Sequence, residues 1–255
     1  MAKLIAFSNQ KGGVGKTTTC VNLGACLADA GKKVLVIDMD PQGNASSSLG
    51  FFDKKDKKSI YEVLCDDMSA EDAVKKTEIE NLGIITSSAD LAGAELELAQ
   101  IVIGRERVLD EKIKEIKNKY DYVFMDCPPS LGLLTVNSLT ACDGVIVPIQ
   151  CEYFALEGLS QMMNTIKLVK KFLNPSLEVE GVVLTLYDGR NKLSKGVTEE
   201  IDRFFGDKVF SARIPRNVRL AEAPSYGKPV ILYDGKCSGA AAYRALAAEV
   251  AEKIK

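Results

Sequence analysis

An α/β fold with a mostly parallel, twisted sheet and helices on both faces is predicted by three observations. Short apolar runs alternate with stretches of helical period along the whole chain, the pattern of repeated right-handed βαβ crossovers. Two of those runs, KVLVID at 33–38 and YVFMD at 122–126, end in aspartate. A glycine-rich segment, QKGGVGKTT at 10–18, joins the first strand pattern to the first helical one. Ligands of open α/β sheets sit at the C-terminal ends of the strands, so all three features converge on one edge.

Taken in order, the apolar run 4–7 opens the sheet, and Val21, Leu23, Ala25, Cys26 and Leu27 mark the first helix. Residues 33–38 read as a buried parallel strand, with a polar loop at 39–44. The Asp- and Lys-rich stretch 51–58 reads as a surface loop. Helical patterns follow around 60–64 and 70–75, then a strand over 82–86 and helices over 91–98 and 105–119. The strand 122–126 is followed by a helix over 133–141, a strand over 144–148, a long helix over 155–172 and a strand over 179–186. A helix over 198–205, a short strand over 209–214, a helical turn over 219–224 and a closing helix over 239–254 complete the chain. No internal repeat, proline-rich linker or low-complexity segment divides it.

Composition removes several functional classes. At 255 residues, with 46% hydrophobic content and a mean hydropathy of +0.01, the chain can bury a sizeable core. No apolar run approaches the roughly 20 residues of a membrane span. The start MAKL enters the first strand directly, without a cleavable leader pattern. Seven scattered cysteines lacking a CxxC pair read as reduced thiols of a cytoplasmic protein. The absence of histidine argues against zinc sites and Ser-His or Cys-His catalysis. A net charge of −2 and a pI near 5.5 leave only a local basic patch for nucleic acid.

The segment 10–18 has the strand–turn–helix context of a phosphate-binding loop. Its glycines let backbone N–H groups surround phosphate oxygens at a helix N-terminus. Lys16 would neutralise the terminal phosphates, and the Thr17 hydroxyl would take one Mg²⁺ position. The fit to G-x-x-x-x-G-K-[ST] is inexact: Gln10 stands at the first glycine, and a second lysine, Lys11, lies inside the loop. The dinucleotide pattern G-x-G-x-x-G fits less well, because its third glycine falls on Thr18. Asp126 has the context of an acid that holds Mg²⁺ through water, or else it merely ends a strand. Asp40 or Asp38 could orient an attacking water, or Asp40 could simply begin the turn before Pro41.

KGGVGKTT, DMDPQGN, DCPPSLG, QCEYFALEGL and IPRNVRLAEAPSYGKPV, in that order, resemble the ParA/Soj family of chromosome- and plasmid-partitioning ATPases over essentially the whole chain. The likeness is to short chromosomal members without an N-terminal DNA-binding extension. It implies a P-loop NTPase fold, a single deviant Walker A ATPase domain over 1–255, and hydrolysis of ATP with Mg²⁺. By resemblance, Gly12, Gly13, Val14, Gly15, Lys16, Thr17 and Thr18 cradle the phosphates, and Lys11 reaches the partner subunit's phosphates in an ATP-sandwiched homodimer. Asp40 matches the acid assigned to the attacking water, and Thr17 and Asp126 the Mg²⁺ residues. Pro215 and Asn217 match the adenine-side loop.

Basic residues cluster late, at Arg190, Lys192, Lys195, Arg213, Arg216 and Arg219, with Glu199, Glu200 and Asp202 nearby. The family likeness places sequence-independent binding of double-stranded DNA here, in a nucleoid-associated cytoplasmic protein stimulated by a ParB-type centromere-binding partner. A solvated face is the competing reading. One alternative function is a MinD-like membrane-cycling ATPase, which needs a C-terminal amphipathic helix; the alanine-rich stretch 240–250 reads as a docked core helix. The other is a metabolic P-loop ligase or iron–sulfur reductase, and the latter needs paired cysteines that the spacing does not supply.

Overall fold

The computed structural model describes residues 2–152 and 155–254; for 155–157, 192 and 193 it describes the backbone alone. The strands are β1 (Lys3–Phe7), β2 (Val34–Asp38), β3 (Val74–Lys76), β4 (Leu82–Ile85), β5 (Tyr122–Asp126), β6 (Gly144–Gln150), β7 (Glu178–Tyr187) and β8 (Val209–Pro215). The first six helices are α1 (Lys16–Asp29), α2 (Asn44–Ser48), α3 (Ile60–Cys65), α4 (Ala70–Ala73), α5 (Leu91–Gln100) and α6 (Val108–Ile113). After them come α7 (Leu133–Ala141), α8 (Ala155–Phe172), α9 (Lys192–Phe205), α10 (Val218–Glu222), α11 (Val230–Tyr233) and α12 (Ser238–Lys253).

The strands form one sheet in the order β3-β4-β2-β5-β1-β6-β7-β8. Every pairing is parallel except that of β3 with β4, so the predicted mostly parallel α/β fold is the one observed. Side chains alternate across the sheet with the period of two that a strand imposes. Leu4, Leu35, Ile37, Val123, Met125 and Val145 enter one core. Ile5, Phe7, Val34, Val36, Phe124 and Ile146 enter the other. Helices α3, α5, α7 and α8 cover the first face, and α1 and α12 the second. Burial on both sides explains why the central strands read as continuous apolar runs.

The differences from expectation are local. Residues 74 and 75, read as the end of a helix, belong to β3: after α4, Val74 turns extended and pairs antiparallel with Ile85. The helix expected over 105–119 shrinks to α6 and a 3-10 turn at Lys117–Lys119. Helix α9 begins earlier than 198, and the short helices α2 and α11 were not anticipated. Both ends of the sheet are specialised. β3 has three residues. Along β8, Glu249 of α12 accepts from the backbone amides of Ser211 (2.8 Å) and Ala212 (3.1 Å), consistent with a carboxyl held below the usual glutamate range.

Candidate active site

The segment between β1 and α1 folds as a tight loop over the C-terminal edge of the sheet. Gly13 (φ 72°) and Gly15 (φ 84°) take left-handed backbone conformations that an L side chain resists. The loop is tied down from both sides. Asn9 donates to the Pro148 carbonyl (2.8 Å) and accepts from the Lys11 amide (3.0 Å). Thr185, at the end of β7, donates to the Val14 carbonyl (2.8 Å). Lys16 opens α1 and is buried, its Nζ donating to the Lys11 carbonyl at 3.3 Å. Burial pulls its pKa below the usual lysine range, against the pull of Asp126, Cys127 and Asp40.

Beneath the loop lie two carboxylates side by side. Asp38 and Asp126 are register partners on β2 and β5, and both are fully buried. Asp38 accepts from the Ser46 amide (2.7 Å), the Ser46 hydroxyl (2.6 Å) and the Asp40 amide (3.3 Å). Burial nevertheless pushes its pKa to about 6. Asp126 accepts one hydrogen bond, from the Thr17 hydroxyl at 2.7 Å, and its Oδ1 is buried without a partner. Burial first, and the charge of Asp38 second, hold its carboxyl well above the usual aspartate range. A bare carboxylate oxygen beside a threonine hydroxyl is a donor set suited to a hard divalent cation such as Mg²⁺, which takes few protein ligands.

A cavity of about 760 Å³ opens beside Thr17, with Asp38 and Asp126 buried behind its lining. Gly12, Gly13, Gly15, Lys16, Thr17, Thr18, Asp40, Pro215, Arg216 and Asn217 all line it, so residues some 200 positions apart in sequence meet around one space. Val14 is buried and does not line it. Asn217 also caps α10, accepting from the Arg219 amide (2.8 Å) and donating to Ser238 (2.8 Å). Lys11 does not line the cavity; its ammonium faces Glu152 at 3.5 Å. Sequence reasoning passed over Gln42, Asn44, Ser47 and Ser48, which line the wall beside Asp40, and Thr185 and Leu186 opposite them. The run NASSS reads as turn chemistry; only the helical hydrogen bonds of α2 reveal it as a wall.

The late basic cluster does not form a field of bare cations. Arg190 pairs with Asp188 (3.1 Å), and Arg213 with Asp202 (3.6 Å). Arg216 faces Glu152 at 4.0 Å, and Arg219 engages both Glu222 (2.9 Å) and Asp234 (3.3 Å). Lys195 is exposed on α9. The Lys192 side chain lies outside the described residues, as do Tyr153 and Phe154 of the QCEYFALEGL motif.

A family model described as an AAA domain matches residues 2–179. The sporulation initiation inhibitor protein Soj of Bacillus subtilis is 56% identical over 98% of this chain and 99% of its own length. The chromosome partitioning protein ParA of Caulobacter vibrioides is 54% identical over 97% of this chain and 93% of its own. Among solved structures, cobyrinic acid a,c-diamide synthase of Mycobacterium smegmatis, with bound ADP and magnesium, superposes with a TM-score of 0.86. It has 38% sequence identity and covers 99% of this chain and 95% of its own.

Proposed function

The chain belongs to the ParA/Soj family of chromosome-partitioning ATPases, and on that premise we propose that it is an ATP-gated dimer that holds DNA until it hydrolyses its nucleotide. One observation carries the reading. Thr17 lines a cavity large enough for a nucleotide, next to a glycine-rich loop, and its hydroxyl donates to Asp126, whose Oδ1 is buried behind it without a partner.

In this reading residues 1–255 act as one ATPase domain. The loop amides of 12–18 surround the phosphates, and Lys16 neutralises their terminal charge. Thr17 and Asp126 would hold Mg²⁺, which supplies charge neutralisation on the phosphate oxygens when bound. Asp40 reaches the cavity wall, with one carboxylate oxygen committed to the Gln42 amide (2.9 Å) and the other available to orient a water. Pro215 and Asn217 close the far end, where the base would lie. Lys11 leaves Glu152 to meet the phosphates of a second subunit across the mouth. No histidine is needed, since positioning and charge stabilisation carry most of phosphoryl transfer.

The DNA surface proposed at Arg190, Lys192, Lys195, Arg216 and Arg219 would contact phosphates of double-stranded DNA without regard to sequence. A ParB-type partner would accelerate hydrolysis and so release the DNA, placing the protein on the nucleoid within the cytoplasm. The membrane-cycling alternative finds no support in α12, whose Tyr243, Leu246 and Val250 are buried against the sheet. No helix among the described residues is long and apolar enough to cross a membrane.

The test is ATP turnover measured alone, with DNA, and with DNA plus a ParB homologue, alongside light scattering with and without ATP. We expect an ATP-dependent dimer and the highest turnover with both additions. A chain that hydrolyses ATP as a monomer, indifferent to DNA and partner, would overturn the proposal.

A further inference from the structure

One backbone feature of the cavity wall is costly, and the phosphate loop explains why it is kept. Leu186 takes φ 50°, a left-handed conformation that non-glycine residues adopt only when the surroundings impose it. It lies where β7 slips against β8: Leu184 pairs with Arg213, but Tyr187, not Leu186, pairs with Pro215. Two residues, Thr185 and Leu186, therefore oppose Ile214 alone, which is a β-bulge. Over the three residues before Thr185 β7 alternates, with Val182 and Leu184 in one core and Val183 in the other. Regular alternation would return Leu186 to the core of Leu184. Instead Tyr187 packs there, and Leu186 lines the cavity beside Thr185.

The bulge follows directly on the residue that grips the loop. Thr185 is buried, and its hydroxyl donates to the Val14 carbonyl. Its methyl and Cβ stand 3.6 and 3.7 Å from where a Cβ on Gly15 would lie. Thr185 thus hydrogen-bonds Val14 and lies alongside Gly15, the two residues that immediately precede Lys16. We propose that Thr185 is a positioning residue for the phosphate loop, set in place by the left-handed bulge at Leu186. The inference rests on reading 10–18 as the phosphate loop of an ATP site, and goes beyond it by assigning the loop's curvature to a strand about 170 residues away.

The physical consequence is pre-organisation. With Thr185 in place, the Val14 carbonyl is satisfied by the protein and the loop is held in its curved form before ligand arrives. Without that hydroxyl the loop would drift toward conformers in which water satisfies Val14, and the apparent affinity would fall by the fraction still curved. Thr185→Val keeps the shape and removes the donor. Its expected effect is a roughly threefold to tenfold weaker dissociation constant for both Mg-ADP and Mg-ATP, the size of one neutral hydrogen bond.

The experiment titrates both nucleotides into wild type, Thr185→Val and Thr185→Ser, with melting temperatures measured without nucleotide. We expect Thr185→Ser to restore most of the affinity, because it returns the hydroxyl without the methyl. A melting temperature equal to wild type in Thr185→Val would separate a positioned loop from a loosened fold. Unchanged affinity in Thr185→Val would overturn the proposal, as would a Thr185→Ser variant as weak as Thr185→Val. Wild type that binds neither nucleotide would overturn instead the ATP reading on which the proposal stands.

Discussion

Replacing Asp126 by asparagine should make the nucleotide-free protein more stable while abolishing its response to Mg²⁺. Asp126 is a fully buried carboxylate with one hydrogen bond, one bare oxygen and a second carboxylate in the adjacent register position. Its neighbour sets the scale. Holding Asp38 near 6, against an ordinary value of 3.8, costs the ionised folded chain about 3 kcal/mol at 1.36 kcal/mol per pKa unit. Asp38 has three donors to stabilise its charge; Asp126 has only Thr17, and burial holds its carboxyl well above the usual aspartate range. Asparagine keeps an acceptor for Thr17 and removes the charge. Loss of attraction on Lys16 works the other way; relieving one unsatisfied buried polar group contributes about 1–3 kcal/mol, so the variant should melt a few degrees higher.

The sign with pH follows from the direction of these shifts. Both folded-state pKa values are raised, so between about pH 4 and the folded values the folded chain retains protons that the unfolded chain has lost. The cost to wild type is absent below that interval, grows through it and persists above it. The advantage of Asp126→Asn should therefore be small near pH 4.5 and larger at pH 8. Thermal melts with chelator at several pH values measure it, and added Mg-ATP should raise the melting temperature of wild type but not of the variant. A variant less stable than wild type at pH 8 without metal would refute the reasoning.

Asp40→Ala should bind ATP and dimerise yet hydrolyse at least tenfold more slowly, giving a long-lived dimer on DNA; unchanged single-turnover rates would move the role to Asp38 or to no side chain. Gly12 faces open space, with nothing within 4 Å of an added Cβ, so Gly12→Val should leave monomeric ATP binding intact while blocking the sandwich. An ATP-dependent dimer of that variant in light scattering would count against the interface as placed. Arg190→Ala and Arg219→Ala should weaken DNA binding equally on every sequence and flatten its salt dependence, by roughly 0.9 in log–log slope for each phosphate no longer neutralised. Wild-type slopes in both variants would place the DNA surface elsewhere.

Most of the sheet was legible because its central strands are buried on both faces and so are written as apolar runs. The aspartates at 38 and 126 and the loop at 10–18 stood out for the same reason, each being a polar interruption at a strand end. What escaped was non-local. β3 exists only because Val74 finds Ile85 on a strand that comes later. The serines of α2 look like a turn until the wall they form is seen. A leucine at φ 50° leaves no mark in the sequence, since the register slip that requires it is set by β8. The arginine cluster read as having few acids among it, with Asp202 nearby; Glu152 and Asp234, neither adjacent in sequence to its cation, also reach Arg216 and Arg219 in space.

The two ends of the sheet carry a further consequence. An edge strand normally exposes a row of amides and carbonyls on which another chain can add a strand. Here one end is a three-residue antiparallel stub, too short to template anything. At the other, Glu249 spends both carboxylate oxygens on the β8 amides that an incoming strand would need. Strand addition is discouraged at both margins: one edge strand is three residues long, and two amides of the other are taken by Glu249. In the reading proposed above, where copies join and separate with ATP, a guarded sheet margin would keep that association away from strand pairing, which is hard to undo.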